Sequence, residues 1–470
     1  MNERSRISAV TTTGIYCRAG CPGRPKRSNV LGFGSSVAAE AAGFRPCLRC
    51  RPDRLPALST VDGGPDVIEP ALLLISEGAL DGGREEDLAG RLNISPRQLR
   101  RLFVQHVGAT PSFVGRSRRA HFARRLLDES DMSMTRIALA AGFSSVRQMN
   151  RVVQETFHLT PSALRSKRFR SDRLVADGGL PLRLPYDGPL AFDAMLAYLR
   201  PRAIPGVEAV GPDTYRRTIS TCGSPGAIEL RDAGDGRHLL LLAHLPTFDA
   251  LIEDVARSRR IFALDHNPEI WLARLMREPL LTPLIAATPG LRPPGAWDRF
   301  EVAVRVIIGQ AISVAAATTL AGRLVEALGT PVPGLSNLGL SHLFPPAQQL
   351  ADVPLSKLTA TGLTEQRAIA IRALAAAYAA GRITLDATTP LDEFVRALCE
   401  LPGIGPWTAQ FIALRAAGDL DAFPVDDLGL KRAFANLGEE ARELADAAHL
   451  WRPYRAVAAM HLWRSLSADG

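Results

Sequence analysis

The sequence predicts a multidomain, mainly α-helical chain, with a small metal-bound N-terminal domain, an all-α middle, a small α+β domain and an all-α C-terminal bundle. Three observations carry this. At roughly 150 residues per domain, a length of 470 residues implies three or four domains. Four of the six cysteines fall between residues 17 and 50, ahead of a basic helical stretch. Strand-like segments appear only from Leu180, and amphipathic, Ala-rich helices dominate after about residue 247. A net charge of +8 favours polyanionic partners. No apolar run approaches a membrane span and no signal-peptide core opens the chain, so a cytoplasmic, nucleoid-associated protein is expected.

The first element is the pair Cys17-x3-Cys21 and Cys47-x2-Cys50, separated by 25 residues. That spacing suits a closed tetrahedral zinc site of four thiolates. Two disulfides are the alternative, disfavoured in a cytosolic chain. Spacing alone fits a structural zinc ribbon as well as a reactive site, where excess negative charge makes a bound thiolate nucleophilic. The flanking residues Thr12-Thr-Gly-Ile-Tyr-Cys-Arg18, Asn29-Val30 and Gly43-Phe-Arg-Pro-Cys-Leu-Arg-Cys-Arg-Pro-Asp53 resemble the zinc domain of the Ada adaptive-response regulators. The resemblance implies a domain over 1–58 holding one Zn2+ through Cys17, Cys21, Cys47 and Cys50. It makes Cys17 an acceptor of methyl groups from DNA phosphotriesters, with Arg18, Arg45, Arg49 and Arg51 as phosphate contacts. That family carries a helix and a strand before this motif. Here only about ten residues precede it, so an N-terminally truncated domain is expected. Cys21-Pro-Gly also departs from the usual surroundings of the second ligand.

Residues 66–170 read as helices joined by short turns. Thr110-Pro-Ser112 and Thr160-Pro-Ser162 recur fifty residues apart, each after a helix-turn-helix pattern. Turns centred on Asn93 and Gly142 would release a second helix into a major groove, with Ser95 and Ser144 as N-caps. From Leu88 to Leu127 there are nine arginines and no acidic residue. Arg97, Gln98, Arg100 and Arg101 would face DNA from the first unit, and Ser145, Arg147, Gln148 and Asn150 from the second. The tandem pattern resembles an AraC-type DNA-binding domain, which implies promoter sites and RNA polymerase as partners.

Val175-Ala-Asp-Gly-Gly179 reads as a linker. Strands are expected over Leu180 to Leu184, Ala227 to Arg231 and His238 to Leu242, and helical segments over 301–328 and 365–380. Leu401-Pro-Gly-Ile-Gly-Pro-Trp-Thr-Ala409 reads as a helical hairpin whose second helix begins at Thr408. Gly403 and Gly405 would free backbone amides for a phosphate, and the paired carboxylates Asp426 and Asp427 follow. These residues, together with Leu184-Pro-Tyr-Asp187, Gly290-Leu-Arg-Pro-Pro-Gly295, Ala303 to Ser313 and His461-Leu-Trp463, resemble the helix-hairpin-helix DNA glycosylases of AlkA type. The resemblance implies an α+β domain over 180–290 and a glycosylase domain over 291–468. It assigns Asp427 the catalytic carboxylate and Asp426 a capping or supporting role. A base pocket of Trp407, Trp463, Tyr198 and Phe411, with Arg202 beside it, is implied too, as is a DNA-gripping loop of Gly403, Gly405, Thr408 and Gln310. Strand-cutting relatives place a lysine where this chain has Trp407, so a monofunctional enzyme using water is expected. No cysteine follows Cys399, so no iron–sulfur cluster is expected. After Gln310 the family places a side chain that wedges into the gap left by a flipped base; here that residue is Ala311.

The expected whole is a monomeric glycosylase for alkylated bases fused to an alkylation-responsive regulator. The alternative is mainly a transcriptional activator carrying a tethered glycosylase domain.

Overall fold

The computed structural model describes residues 7–18, 21–23, 25–52, 67–168, 174, 179–438 and 443–466. The linker residues 175–178, and Asp53 at the end of the cysteine motif, lie outside them. The described chain divides into two compact units, one built mainly from residues 1–187 and the other mainly from residues 257–470.

In the first unit, four short strands form a sheet in the order β3-β1-β2-β4: β1 (Ile7–Val10), β2 (Ile15–Arg18), β3 (Val30–Phe33) and β4 (Arg45–Pro46). A strand precedes the cysteine motif. β1 is made from the few residues before the motif, and its Ile7 and Ala9 point inward against Tyr16 and Ala39. The parallel pairing of β2 with β4 sets Tyr16 opposite Pro46, so Cys17 and Cys47 emerge side by side.

The helical middle is held by the 19-residue helix Pro111–Glu129, against which the helices of both helix-turn-helix repeats pack. Thr110 and Thr160 cap their helices and Pro111 and Pro161 occupy the first turn, which explains the repeated Thr-Pro-Ser. The turns fall at Asn93 (φ 53°) and Gly142 (φ 74°) as the spacing predicts. The second N-cap is Ser145 rather than Ser144. Ser145 Oγ accepts from the Gln148 amide at 3.2 Å, while Gln148 Oε1 accepts from the Ser144 amide at 2.9 Å. The reciprocal bonds shift the cap by one residue.

A second sheet has the order β5-β9-β8-β7-β6: β5 (Leu180–Pro185), β6 (Glu208–Val210), β7 (Thr214–Thr221), β8 (Ser224–Asp232) and β9 (His238–His244). β6 escaped the sequence reading because it has only three residues, and β7 because Arg216 and Arg217 interrupt its apolar alternation. Helices then build one large core. The segment 301–328 is two helices, Arg299–Ile308 and Val314–Leu328, parted at Gly309 to Ser313. Ala311 takes φ 52° there. That break delivers Gln310 to the site described next.

Candidate functional site

The hairpin joins helix Leu391–Cys399 to helix Pro406–Ile412. Gly403 has φ +77°, and a Cβ there would lie 3.0 Å from that of Ala370, so glycine is needed. Gly405 differs from expectation: it is the N-cap at φ −99°, an angle open to any residue. The second helix begins at Pro406, not Thr408. Thr408 is buried, and its hydroxyl accepts from Gln310 Nε2 at 2.9 Å. Gln310 Nε2 also donates to the Gly403 carbonyl at 2.8 Å, and Arg367 donates to the Gln310 carbonyl. Thr408 and Gln310 therefore brace the loop.

Helix Pro406–Ile412 continues into a π-helical turn over Ala413–Ala417. Trp407 and Phe411 lie one turn apart with rings 5.4 Å apart, and Phe411 meets Trp463 at 5.4 Å. This aromatic row lines one end of a cavity of about 410 Å³, and Asp427 lies at the same end. Asp427, not Asp426, is the N-cap of helix Leu428–Asn436, its Oδ1 accepting from the Leu430 amide at 2.9 Å. Trp463 Nε1 donates to the same oxygen at 2.9 Å, and Trp407 Nε1 donates to Oδ2 at 3.3 Å. Asp426 is instead exposed and pairs with Lys431. One aspartate thus caps the helix, accepts from both indoles and borders the cavity. Gly429 lets the chain pass: a Cβ there would come within 2.9 Å of Asp427 Oδ1 and 3.2 Å of the Trp463 ring.

Tyr198 stands behind this wall. The Arg202 guanidinium covers its ring at 3.9 Å, Arg415 donates to its hydroxyl at 3.2 Å, and Trp463 lies 6.3 Å away. Burial favours its neutral form, yet the two arginines outweigh this and lower the phenol's pKa. Arg202, unlike Tyr198, borders the cavity.

A charged part of the same lining was not foreseen. There Arg217 bridges to Glu301 at 2.7 Å, and Tyr215 donates to Glu208. Burial pushes the Glu301 carboxyl up to about 7 against the pull of Arg217. Burial, aided by the charge of Arg202, lowers Arg305 to about 10; its Nη2 holds Thr318, while its Nε is buried without a partner. Charged residues inside otherwise apolar segments, Arg217 in β7 and Arg305 in Arg299–Ile308, were the signal that could have found this wall.

In the first unit, the Sγ atoms of Cys17, Cys21, Cys47 and Cys50 all lie within 4.8 Å of one another. A closed set of four thiols fits a tetrahedral thiophilic metal ion. Burial foremost raises the Cys17 thiol and lifts Cys50 to about 11, whereas amides of Cys50 and Arg49 overcome burial and lower Cys47. Arg51 cannot meet a phosphate: it is buried on Asp128 of the long central helix. Arg49 is exposed and Arg18 and Arg45 are half-buried. On the helix-turn-helix repeats Arg97, Gln98, Arg101, Ser145, Arg147 and Asn150 are exposed or partly so along the second helices. Two expectations change here. Arg100 pairs with Glu85 at 2.6 Å, and Gln148 is turned back onto Ser144.

Four family descriptions match in succession: the metal binding domain of Ada over residues 3–53, a helix-turn-helix domain over 88–167, the AlkA N-terminal domain over 181–298, and the HhH-GPD superfamily of base excision DNA repair proteins over 304–450. The chain is 40% identical over 466 residues to the probable bifunctional transcriptional activator/DNA repair enzyme AlkA of Mycobacterium tuberculosis, covering 98% of this chain and 92% of that one. The chain belongs to the bifunctional AlkA family. Its AlkA portion is 34% identical to DNA-3-methyladenine glycosylase 2 of Escherichia coli, over 60% of this chain and 95% of that one. The solved 3-methyladenine DNA glycosylase of Archaeoglobus fulgidus shares the AlkA fold at TM-score 0.52 and 22% identity, covering 60% of this chain and 97% of that one. Among the described residues, no helix is long and apolar enough to cross a membrane.

Proposed function

We propose that the chain is a monofunctional DNA glycosylase that hydrolyses the N-glycosylic bond of alkylated bases of the 3-methyladenine and 7-methylguanine class, fused to a zinc-dependent regulator of the alkylation response. The observation that carries the reading is Asp427, held by two indole N–H groups and one amide at the aromatic end of the cavity.

A base must leave the stack before a group on the protein reaches its sugar bond. Trp407, Phe411 and Trp463 offer π-faces on which a flipped base, cationic when alkylated, is held by stacking and cation–π attraction. The C1′–N bond breaks with its electron pair leaving on the base, and positive charge develops on the sugar. The fixed Asp427 carboxylate stabilises that charge, and water adds at C1′ and releases a proton to solvent. All three hydrogen-bond donors to Asp427 are neutral.

In the regulatory half, Cys17, Cys21, Cys47 and Cys50 would hold Zn2+, which supplies Lewis acidity and keeps thiolates deprotonated. Cys17 then accepts a methyl group: its sulfur bonds to the methyl carbon, and the departing C–O electron pair stays on the phosphate, leaving a diester. Arg97, Gln98, Arg101, Arg147 and Asn150 contact promoter DNA from the two recognition helices.

The test uses the purified full chain and duplex DNA carrying 7-methylguanine or hypoxanthine. Base release leaving an unbroken abasic strand is expected. Asp427→Asn lowers release about 10³-fold without loss of promoter binding, whereas Cys17→Ser keeps release and loses the methylation-dependent gain in promoter affinity. Full excision by Asp427→Asn overturns the catalytic assignment.

A further inference from the structure

Leu428 is the most exposed large apolar side chain among the described residues, at 81%; the next, Val104, is 55% exposed and belongs to the helix-turn-helix region. A single exposed leucine is unremarkable by itself. Its position is what matters. Asp427 before it and Gly429 after it both line the cavity, so Leu428 stands at the cavity rim. Its side chain faces away from the cavity into solvent, while the neighbouring chain at Gly429 runs close against Asp427 Oδ1 and the Trp463 ring. Capping by Asp427 fixes the backbone of Leu428, the first residue of its helix, so the side chain projects from a rigid base.

An enzyme that draws a base out of a duplex leaves a gap in the stack, and apolar wedges such as leucine fill gaps of this kind. The loop between helices Arg299–Ile308 and Val314–Leu328 offers little to fill it. Ala311 is exposed but carries one methyl group, and Ile312 is half-buried and lines the cavity.

We propose that Leu428 is the positioning residue that fills the vacated stack and holds the flipped base in the cavity, resting on the glycosylase reading above. The side chain makes no contact with the reacting bond, so its effect follows the cost of unstacking rather than the chemistry.

The test measures single-turnover release of 7-methylguanine by full-length protein from a paired duplex and from the same lesion in single-stranded DNA. Leu428→Ala is expected to slow release about tenfold in the duplex and less than about twofold in the single strand, because a base already unstacked needs no wedge. Leu428→Met restores the duplex rate. A second measurement uses no turnover: in an Asp427→Asn background, fluorescence of 2-aminopurine beside the lesion rises on binding, and Leu428→Ala suppresses the rise. An unchanged duplex rate overturns the proposal, as does equal loss on both substrates, which would place Leu428 in the chemistry. If the unaltered protein releases no base from either DNA, the glycosylase reading fails and this proposal falls with it.

Discussion

Glu40 in the first unit and Asp427 in the second are both carboxylates gripped by several hydrogen-bond partners. Glu40 is 7% exposed; Tyr16 and Ser117 donate to it at 2.6 Å, and His121 Nε2 lies 2.6 Å away. Tyr16 precedes the first cysteine ligand, while Ser117 and His121 sit on the central helix Pro111–Glu129. Glu40 therefore fastens the cysteine module to the helix that organises DNA reading. Asp427 accepts from two indoles and an amide but borders an open cavity. The same physical device, a hydrogen-bonded carboxylate, is a rivet where it is enclosed and, on the proposed assignment, a reactive surface where one side is left open.

The contrast breaks most sharply at Asp427. Asp427→Asn preserves the helix cap, since asparagine caps as well as aspartate, and removes only the charge. A loss in base release of about 10³-fold, about 4 kcal/mol of transition-state stabilisation, is expected, with the melting temperature nearly unchanged. Equal losses of rate and stability would make Asp427 another rivet.

A pH effect comes next and concerns the second unit alone. Burial holds His461 near 4, below the 6.5 of the exposed imidazole. The unfolded chain therefore takes up its proton first. Stability is full above about pH 6.5 and falls as pH drops towards 4, by on the order of 3 kcal/mol. Chemical denaturation across that window checks this, and His461→Leu flattens the slope.

Glu40→Ala leaves the Tyr16 and Ser117 hydroxyls without their acceptor in a buried site, and a cost of about 2 kcal/mol is expected. Thermal melting followed by metal release reads it, while base release stays unchanged. A change in base release would couple the two carboxylates. Last, Trp463→Phe keeps a ring against Phe411 but withdraws the N–H from Asp427 Oδ1. Base release falls about tenfold while binding of undamaged DNA holds.

The sequence made the order of domains legible because each carries local punctuation: cysteine spacing, the recurring Thr-Pro-Ser, and the Gly/Pro-rich hairpin. Asp427 and its aromatic neighbours were legible for the same reason. Interior electrostatics were not. Arg51 resembles a phosphate contact until Asp128, 77 residues away, is seen to hold it. Gln310 and Thr408 resemble DNA contacts until their mutual bond appears, 98 residues apart along the chain. The acid–arginine wall of Glu208, Arg217, Glu301 and Arg305 is assembled from three separate elements, and no window along the chain contains it. Polar residues identify their partners only in three dimensions.

Because Asp427 is at once the cap of helix Leu428–Asn436 and a carboxylate at the cavity, the proposed catalytic role is tied to one turn of secondary structure. Leu430, Ala433 and Phe434 of that helix belong to the large core, so the carboxylate is positioned by the same packing that holds the fold, and loss of that turn would part it from both indoles.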